Sequence, residues 1–398
     1  MPRRPAFVAF ALAGLGALAA CSADPAPSGG GSTTAPLSNT TITPSPTSTT
    51  TPPSCAEALA AALTLEQKVG QLLMVGAQAG TAPAALDPVL TDQKAGGVVL
   101  LGTWNSAPTV SGATQHWQPI GRTVSGGVGL LVSADQEGGQ VRHLQGTGFA
   151  STPSALSQGR AGTAGPNATT VAANLKAVGV NVNLAPVADT VAASFARQNG
   201  PIGVYQREYG NDPATVTRSV TAAVSALQAG GVSATVKHFP GLGRVTGNTD
   251  LTANGTTDTT TTADDAYLEP FRAGIQAGVD LVMISSATYS QIDPDNRAPF
   301  SSRVVTGLLR EQLRYDGVVV SDDLGGAVAV ASVPPGERAT RFVAAGGDIV
   351  LTGLPATAPT MAGALRDKAQ AEPAFAAQVD AAATRVLELK VRRGLASC

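Results

Sequence analysis

The chain has 398 residues, and its 26 Lys and Arg against 28 Asp and Glu leave a net charge of −2, which gives no electrostatic footprint for nucleic acid. Its three histidines, His116, His143 and His238, stand at no metal-ligand spacing from one another or from a Cys, so neither a metal nor another cofactor is expected. Residues 55–398 suffice for one large domain, expected to be a monomer, and contain no apolar stretch approaching a membrane span.

At the start of the chain, Arg3 and Arg4 precede an apolar run from Ala6 to Leu18 that is too short to cross a bilayer comfortably. It closes on Leu18-Ala19-Ala20-Cys21, so residues 1–20 read as an export signal. The tetrapeptide resembles a bacterial lipobox, which implies an extracytoplasmic product that begins at an acylated Cys21 and is anchored to the cell membrane by its lipid. Residues 21–54 are almost entirely Ser, Thr, Pro, Gly and Ala, too polar to offset chain entropy by burial, and are expected to form a disordered tether. Cys55 and Cys398 are then the two remaining thiols of an exported, disulfide-permissive chain, and they are predicted to pair.

Beyond the tether, eight short apolar runs recur: Gln71 to Ala77, Gly97 to Gly102, Val128 to Ala134, Val180 to Ala185, Ser233 to His238, Leu281 to Ser285, Val318 to Ser321 and Ile349 to Thr352. Helical patterns separate them, at Leu65 to Gln71 after an N-cap at Thr64, Asn167 to Val178, Pro213 to Ala229, Asp264 to Ala277, Val304 to Leu313 and Glu337 to Ala345. Near-continuous apolar strands alternating with helices predict an α/β fold with a parallel sheet buried on both faces, and eight units favour a closed (β/α)8 TIM-type barrel. An open doubly wound sheet is the alternative, but no strand runs into a G-x-G-x-x-G turn. Pro373 to Arg393 reads as a final amphipathic helix against the outside of the barrel.

In such a barrel the C-terminal ends of the strands converge on one mouth. The third run ends in Asp135-Gln136-Glu137-Gly138-Gly139, the fourth in Pro186-Val187-Ala188-Asp189, the fifth in Lys237-His238, and the seventh in Ser321-Asp322-Asp323. Carboxylates facing each other across a mouth, with cations to bind hydroxyls, suit glycoside hydrolysis, in which one carboxylate attacks C1 and another group protonates the leaving oxygen. A serine nucleophile has no support, since no G-x-S-x-G elbow occurs.

Five ordered motifs resemble glycoside hydrolase family 3, particularly its single-domain β-N-acetylglucosaminidases: Leu63 to Leu72, Asp135 to Gly139, Asn183 to Asp189, Arg207 to Pro213, and Lys237-His238-Phe239-Pro240-Gly241. The resemblance implies a retaining mechanism with Asp322 as nucleophile and Asp323 as its local competitor. It also implies that Asp135, Arg207, Lys237 and His238 bind the hydroxyls of a terminal sugar, with Asp189 as a further candidate. The implied substrate is terminal GlcNAc on cell-wall, peptidoglycan-derived saccharides.

The chain departs from that pattern in three places. Leu242 stands where the motif continues with His. His143 holds the position of a binding Arg, for which Arg142 is the expected substitute. Asn248-Thr249-Asp250 replaces the Asp-Ser-His triplet to which proton transfer is assigned, and no His lies between Gly241 and Asp265. Asp250 is therefore the candidate proton donor, with Asn248 expected to orient it. A β-glucosidase or other exo-β-glycosidase, or a catalytically impaired sugar-binding lipoprotein, are the alternatives.

Overall fold

The computed structural model describes residues 53–398; the export signal, Cys21 and the tether up to residue 52 lie outside them. Ser54, the last residue assigned to the tether, is the N-cap of the helix Cys55–Ala62. Its hydroxyl accepts from the Glu57 amide while the Glu57 carboxylate accepts from the Ser54 amide, a reciprocal capping box.

All eight apolar runs contribute strands: β1 (Leu73–Gln78), β2 (Gly97–Leu101), β3 (Leu131–Ala134), β4 (Val182–Asn183), β5 (Ser233–Phe239), β6 (Leu281–Ile284), β7 (Val318–Ser321) and β8 (Val350–Thr352). Each pairs in parallel with the next in chain order, and β8 returns to β1 through Leu73↔Val350 and Met74↔Leu351. A parallel bridge between Val320 and Ile349 joins β7 to β8, so the sheet is a ring and not an open doubly wound sheet. The period-2 geometry of a strand sorts its side chains into two cores. Met74, Val99, Leu131, Val182, Leu281, Val318 and Ile349 fill the barrel interior. Val75, Val98, Val132, Val282, Val319 and Val350 face the surrounding helices.

The helices Leu65–Gln71 and Pro213–Ala229 occur over the expected residues, capped by Thr64 and Asp212. Val304 to Leu313 differs: Arg303–Gln312 winds as a π-helix. Ala107–Val124 carries Pro119 inside it, which broke the sequence pattern and hid the helix. The last helix, Pro373–Arg392, is a further correction. It lies on the outside of the barrel only over its first half, through Phe375, Val379 and Ala382, and then crosses the floor, where Val386 and Leu389 enter the interior core. From there Lys390 donates to Gln71 Oε1 and the Gly96 carbonyl at 2.5 and 2.8 Å, while Arg385 pairs with Asp348 and Arg393 with Asp280.

Cys398 follows this helix and is bonded to Cys55, with 5.8 Å between their Cα atoms across a sequence separation of 343 residues. Cross-linking so long a loop restricts the unfolded chain strongly, so Cys398→Ser should lower the unfolding free energy by about 2–5 kcal/mol. The bond sits at the floor, remote from the mouth, so turnover at 25 °C should be unchanged; denaturant titration paired with a rate measurement checks both statements.

Candidate active site

Strand parity places the chemistry. The interior rows run Leu131, Ser133, Asp135 along β3 and Val318, Val320, Asp322 along β7, and Lys237 likewise alternates with the outward-packed Val236 of β5. Parity therefore separates Asp322 from Asp323, a distinction the apolar sequence pattern could not make. Asp323 also borders the cleft, but its carboxylate is held by the backbone: its Oδ1 accepts from the amides of Gly325, Gly326 and Gly353 at 2.7, 3.0 and 2.8 Å. A Cβ on Gly353 would stand 2.6 Å from Asp323 Oδ2, so glycine is needed for that close approach. Asp322 accepts only the Asp323 amide and lines the cleft.

The cleft has a volume of about 300 Å³, and Asp135, Arg207, Lys237, His238, Asp250 and Asp322 all line it. Lys237, only 1% exposed, donates to Asp135 Oδ1 at 2.5 Å and contacts Glu137 Oε1 at 2.6 Å. Glu137 in turn receives Arg207 through two parallel bonds, Nε to Oε2 at 2.9 Å and Nη2 to Oε1 at 2.8 Å. Burial opposes ionisation of both carboxyls, but Lys237 and Arg207 outweigh it and hold Asp135 and Glu137 to about 2. The motif Asp135 to Gly139 contains Glu137 but by itself assigns it no role. The signal available for it was charge balance, since two buried cations require more than the single carboxylate of Asp135.

Arg207 Nη2 lies 3.3 Å from His238 Nε2, and the other ring nitrogen of His238 is 2.7 Å from Asp189 Oδ2. Burial, reinforced by the charges of Arg207 and Lys237, pushes the imidazole well below its ordinary value and keeps it neutral. A neutral ring with its proton on Nδ1 satisfies both contacts, donating to Asp189 and accepting from Arg207. Asp189 itself is fully buried, does not line the cleft, and accepts from the amides of Leu242 and His238. It is therefore corrected from a sugar ligand to the group that orients His238. Leu242 keeps the backbone half of that arrangement, although its side chain is apolar and buried.

Two other expectations change. Asn248 does not reach the Asp250 carboxyl; its Oδ1 accepts the Asp250 amide at 3.0 Å and so shapes the turn. The backbone of Thr249 and Asp250 is fastened from the far side, accepting from the amides of Ala329 and Val328 at 3.0 and 3.3 Å. Arg142 bonds the Gly139 carbonyl and does not line the cleft, whereas His143 does, with Nδ1 2.8 Å from the Leu100 carbonyl. The long loop after β5 also has structure: Thr257–Asp258 pairs with Thr288–Tyr289, and Arg244 closes its base on Asp265 at 2.8 Å.

Asp322 and Asp250 titrate as a pair. Burial first, then the negative charge of Asp250, raises Asp322 to about 8. Asp250 opens to solvent at the lip, yet the walls around it desolvate its carboxyl and raise it as well, against the pull of Arg207. Both carboxyls therefore keep a proton more readily than free ones, and they titrate together.

Glu208, beside Arg207, is buried with neither carboxylate oxygen hydrogen-bonded within the protein, and burial pushes it up to about 7. Its folded value exceeds its unfolded one, so the stability it contributes is complete below about pH 4.5 and is lost as pH rises through about 7. Glu208→Gln should abolish that decline, gaining about 1–3 kcal/mol on the wild type between pH 5 and pH 8. Denaturant midpoints at the two pH values give the difference.

The profile of the glycosyl hydrolase family 3 N terminal domain matches residues 64–389. A beta-hexosaminidase of Xanthomonas campestris pv. campestris (strain B100) is 37% identical over 236 residues, which span 56% of this chain and 67% of that protein. The crystal structure of a beta-N-acetylhexosaminidase from Beutenbergia cavernae DSM 12333 is similar with a TM-score of 0.80 at 47% identity, covering 83% of this chain and 99% of the other. A glycoside hydrolase family 3 beta-N-acetylglucosaminidase from Paenibacillus sp. str. FPU-7 has a TM-score of 0.73 at 32% identity, covering 85% of this chain and 64% of its own. A barrel whose mouth gathers these carboxylates and cations, together with a profile match across nearly all of it, makes this chain a glycoside hydrolase belonging to family 3.

Proposed function

We propose that the protein is a retaining exo-β-N-acetylglucosaminidase acting on terminal GlcNAc of peptidoglycan-derived saccharides. What carries the assignment is the convergence on one small cleft of two carboxyls with raised affinity for a proton, Asp322 and Asp250, and four charged or polar groups able to bind hydroxyls, Asp135, Arg207, Lys237 and His238. A volume of about 300 Å³ is at the small end of ligand cavities and suits one sugar residue, hence removal from a chain end. The choice of GlcNAc rests on the hexosaminidase and acetylglucosaminidase relatives. An extracytoplasmic location, with lipid on Cys21 as the membrane anchor, draws support from the Leu18-Ala19-Ala20-Cys21 signature and from a disulfide, a bond that persists in oxidising compartments.

In the first step a carboxylate oxygen of Asp322 bonds to C1 as the C1–O bond to the aglycone breaks, and the Asp250 proton passes to the departing oxygen. In the second, ionised Asp250 takes a proton from water, the water oxygen bonds to C1, and Asp322 leaves as carboxylate. Net retention follows from two inversions. The cycle starts from ionised Asp322 and protonated Asp250, passes through esterified Asp322 beside ionised Asp250, and returns both groups to their starting state.

Asp322→Asn should abolish release from every substrate, whereas Asp250→Asn should spare aryl β-GlcNAc, whose leaving group needs no protonation, and lose roughly 10²–10⁴-fold on an unactivated disaccharide. The pair loses its last proton near pH 8, so wild-type kcat/KM should fall above that value, and Asp250→Asn should remove this basic limb. Equal losses on both substrate types would exclude Asp250 as the acid. Aryl β-glucoside assayed alongside decides the sugar: release of glucose in preference to GlcNAc would refute the acetylglucosaminidase reading.

A further inference from the structure

Five large apolar side chains stand exposed among the described residues, and all five are on loops at the mouth end of the barrel. Val204 and Tyr205 follow β4, Leu251 follows β5, Val328 follows β7, and Leu354 follows β8. None is on the outer helices, where scattered apolar exposure is ordinary on a protein surface. Confinement of exposed apolar surface to the rim of a polar cleft points to a ligand that passes the rim on its way in.

Three of the five form one ridge beside Asp250. Leu251, 71% exposed, is its chain neighbour. Val328, 44% exposed, donates its amide to the Asp250 carbonyl at 3.3 Å. Leu354, 51% exposed, lies against Gly326, its Cγ only 3.6 Å from where a Cβ on that residue would stand. The backbone bonds from Val328 and Ala329 hold the ridge to the Asp250 turn, so ridge and carboxyl are positioned together. Leu354 is also adjacent to Gly353, which lines the cleft.

Resting on the reading of Asp250 as proton donor, we infer that Leu251, Val328 and Leu354 form an aglycone-binding ridge that selects leaving groups carrying apolar surface, such as an acyl, alkyl-ether or aromatic substituent. The proton donor must stand beside the glycosidic oxygen, so the group attached to that oxygen lies on the donor's side of the cleft. The exposed large side chains adjoining the donor there are aliphatic. The cations and carboxylates that recognise hydroxyls lie deeper, at the ends of β3 and β5, so the two halves of the substrate meet opposite chemistries.

The n-butyl and n-octyl β-glycosides of GlcNAc separate binding from chemistry, because their alcohols are leaving groups of nearly equal basicity. Half-burial of four extra methylenes on the ridge predicts an octyl-to-butyl ratio of kcat/KM of about tenfold for the residue 53–398 domain. The triple variant Leu251→Ser, Val328→Ser, Leu354→Ser should bring that ratio to about one, and Leu354→Ser alone, away from the Asp250 turn, should lower it part of the way. A wild-type ratio near one, or a ratio that survives the triple substitution, overturns the ridge while leaving the hydrolase reading intact. A ridge that instead seats a second copy or a lipid surface would shift the sedimentation coefficient, or vesicle flotation, between wild type and triple variant with no effect on the ratio, and that outcome also overturns it. If neither glycoside releases GlcNAc at all, the proposed function fails first, and the two failures are thereby told apart.

Discussion

The buried ammonium of Lys237 is the constraint around which the mouth of the barrel is built. A charge with 1% exposure is costly unless opposite charge surrounds it, and here Asp135 and Glu137 approach it from the end of β3. Glu137 then requires Arg207 to complete its second oxygen, Arg207 requires a neutral His238 beside it, and His238 stays neutral and oriented because Asp189 receives its Nδ1 proton. Contributions from β3, β5 and the loops after β3 and β4 are thus fixed by one chain of contacts. Removing a single member of a buried ion pair leaves its partner uncompensated at about 3–5 kcal/mol, so the network behaves as a unit. Three carboxylates, Asp135, Glu137 and Asp189, face two cations in it. Asp250 and Asp322 stand at the edge of this network, where burial raises both against the pull of its cations.

The opposite end of the barrel solves the same electrostatic problem differently. Asp280 and Asp348 precede β6 and β7–β8 pairing at the floor and are buried, yet arginines reach them from outside: Arg392 and Arg393 meet Asp280, while Arg310 and Arg385 meet Asp348. Three of those four arginines come from the last helix or the turn after it, and Cys398 then ties that segment to Cys55. Each of these floor carboxylates is matched by two arginines of its own. At the mouth the cations are shared, and the Asp322–Asp250 pair has no dedicated partner. Charge left only partly compensated is what a reacting substrate can exploit, which gives a physical basis for the division between a stabilising floor and a chemical mouth.

The barrel was legible because its strands are bounded apolar runs, and all eight runs contribute strands to the ring. The strand ends were legible for the same reason, since a polar residue closing such a run has few places to go but the mouth. The roles within the cluster were less so. Asp189 sits at a strand end like Asp135, but the fold turns it into the protein interior beneath the loop that starts at Leu242, a matter of tertiary packing that one-dimensional patterning does not carry. Asp322 and Asp323 read alike until Val318 and Val320 are seen to face inward, whereupon the period of the strand decides between them. The last helix was misplaced because its amphipathic pattern states which face is buried without stating against what; its charged residues fit the floor only once Asp280, Asp348 and the Gly96 carbonyl are assembled there.

The loss of histidine from the loop after β5 has a bearing on how a carboxyl serves as proposed proton donor. An isolated aspartic acid is ionised at neutral pH and has no proton to give. Partial desolvation and neighbouring carboxylates raise its affinity for a proton. For Asp250 the desolvation of its surroundings comes first, with the charges of Asp323 and Asp135 acting in the same direction against Arg207. Backbone bonds to Val328 and Ala329 hold the turn in place, so the loop is secured by the segment that follows the nucleophile-bearing strand. Donor and proposed nucleophile therefore share a structural support. A substitution that loosened the Val328 turn would move the proposed acid, and would act on its function from a position that touches neither carboxyl.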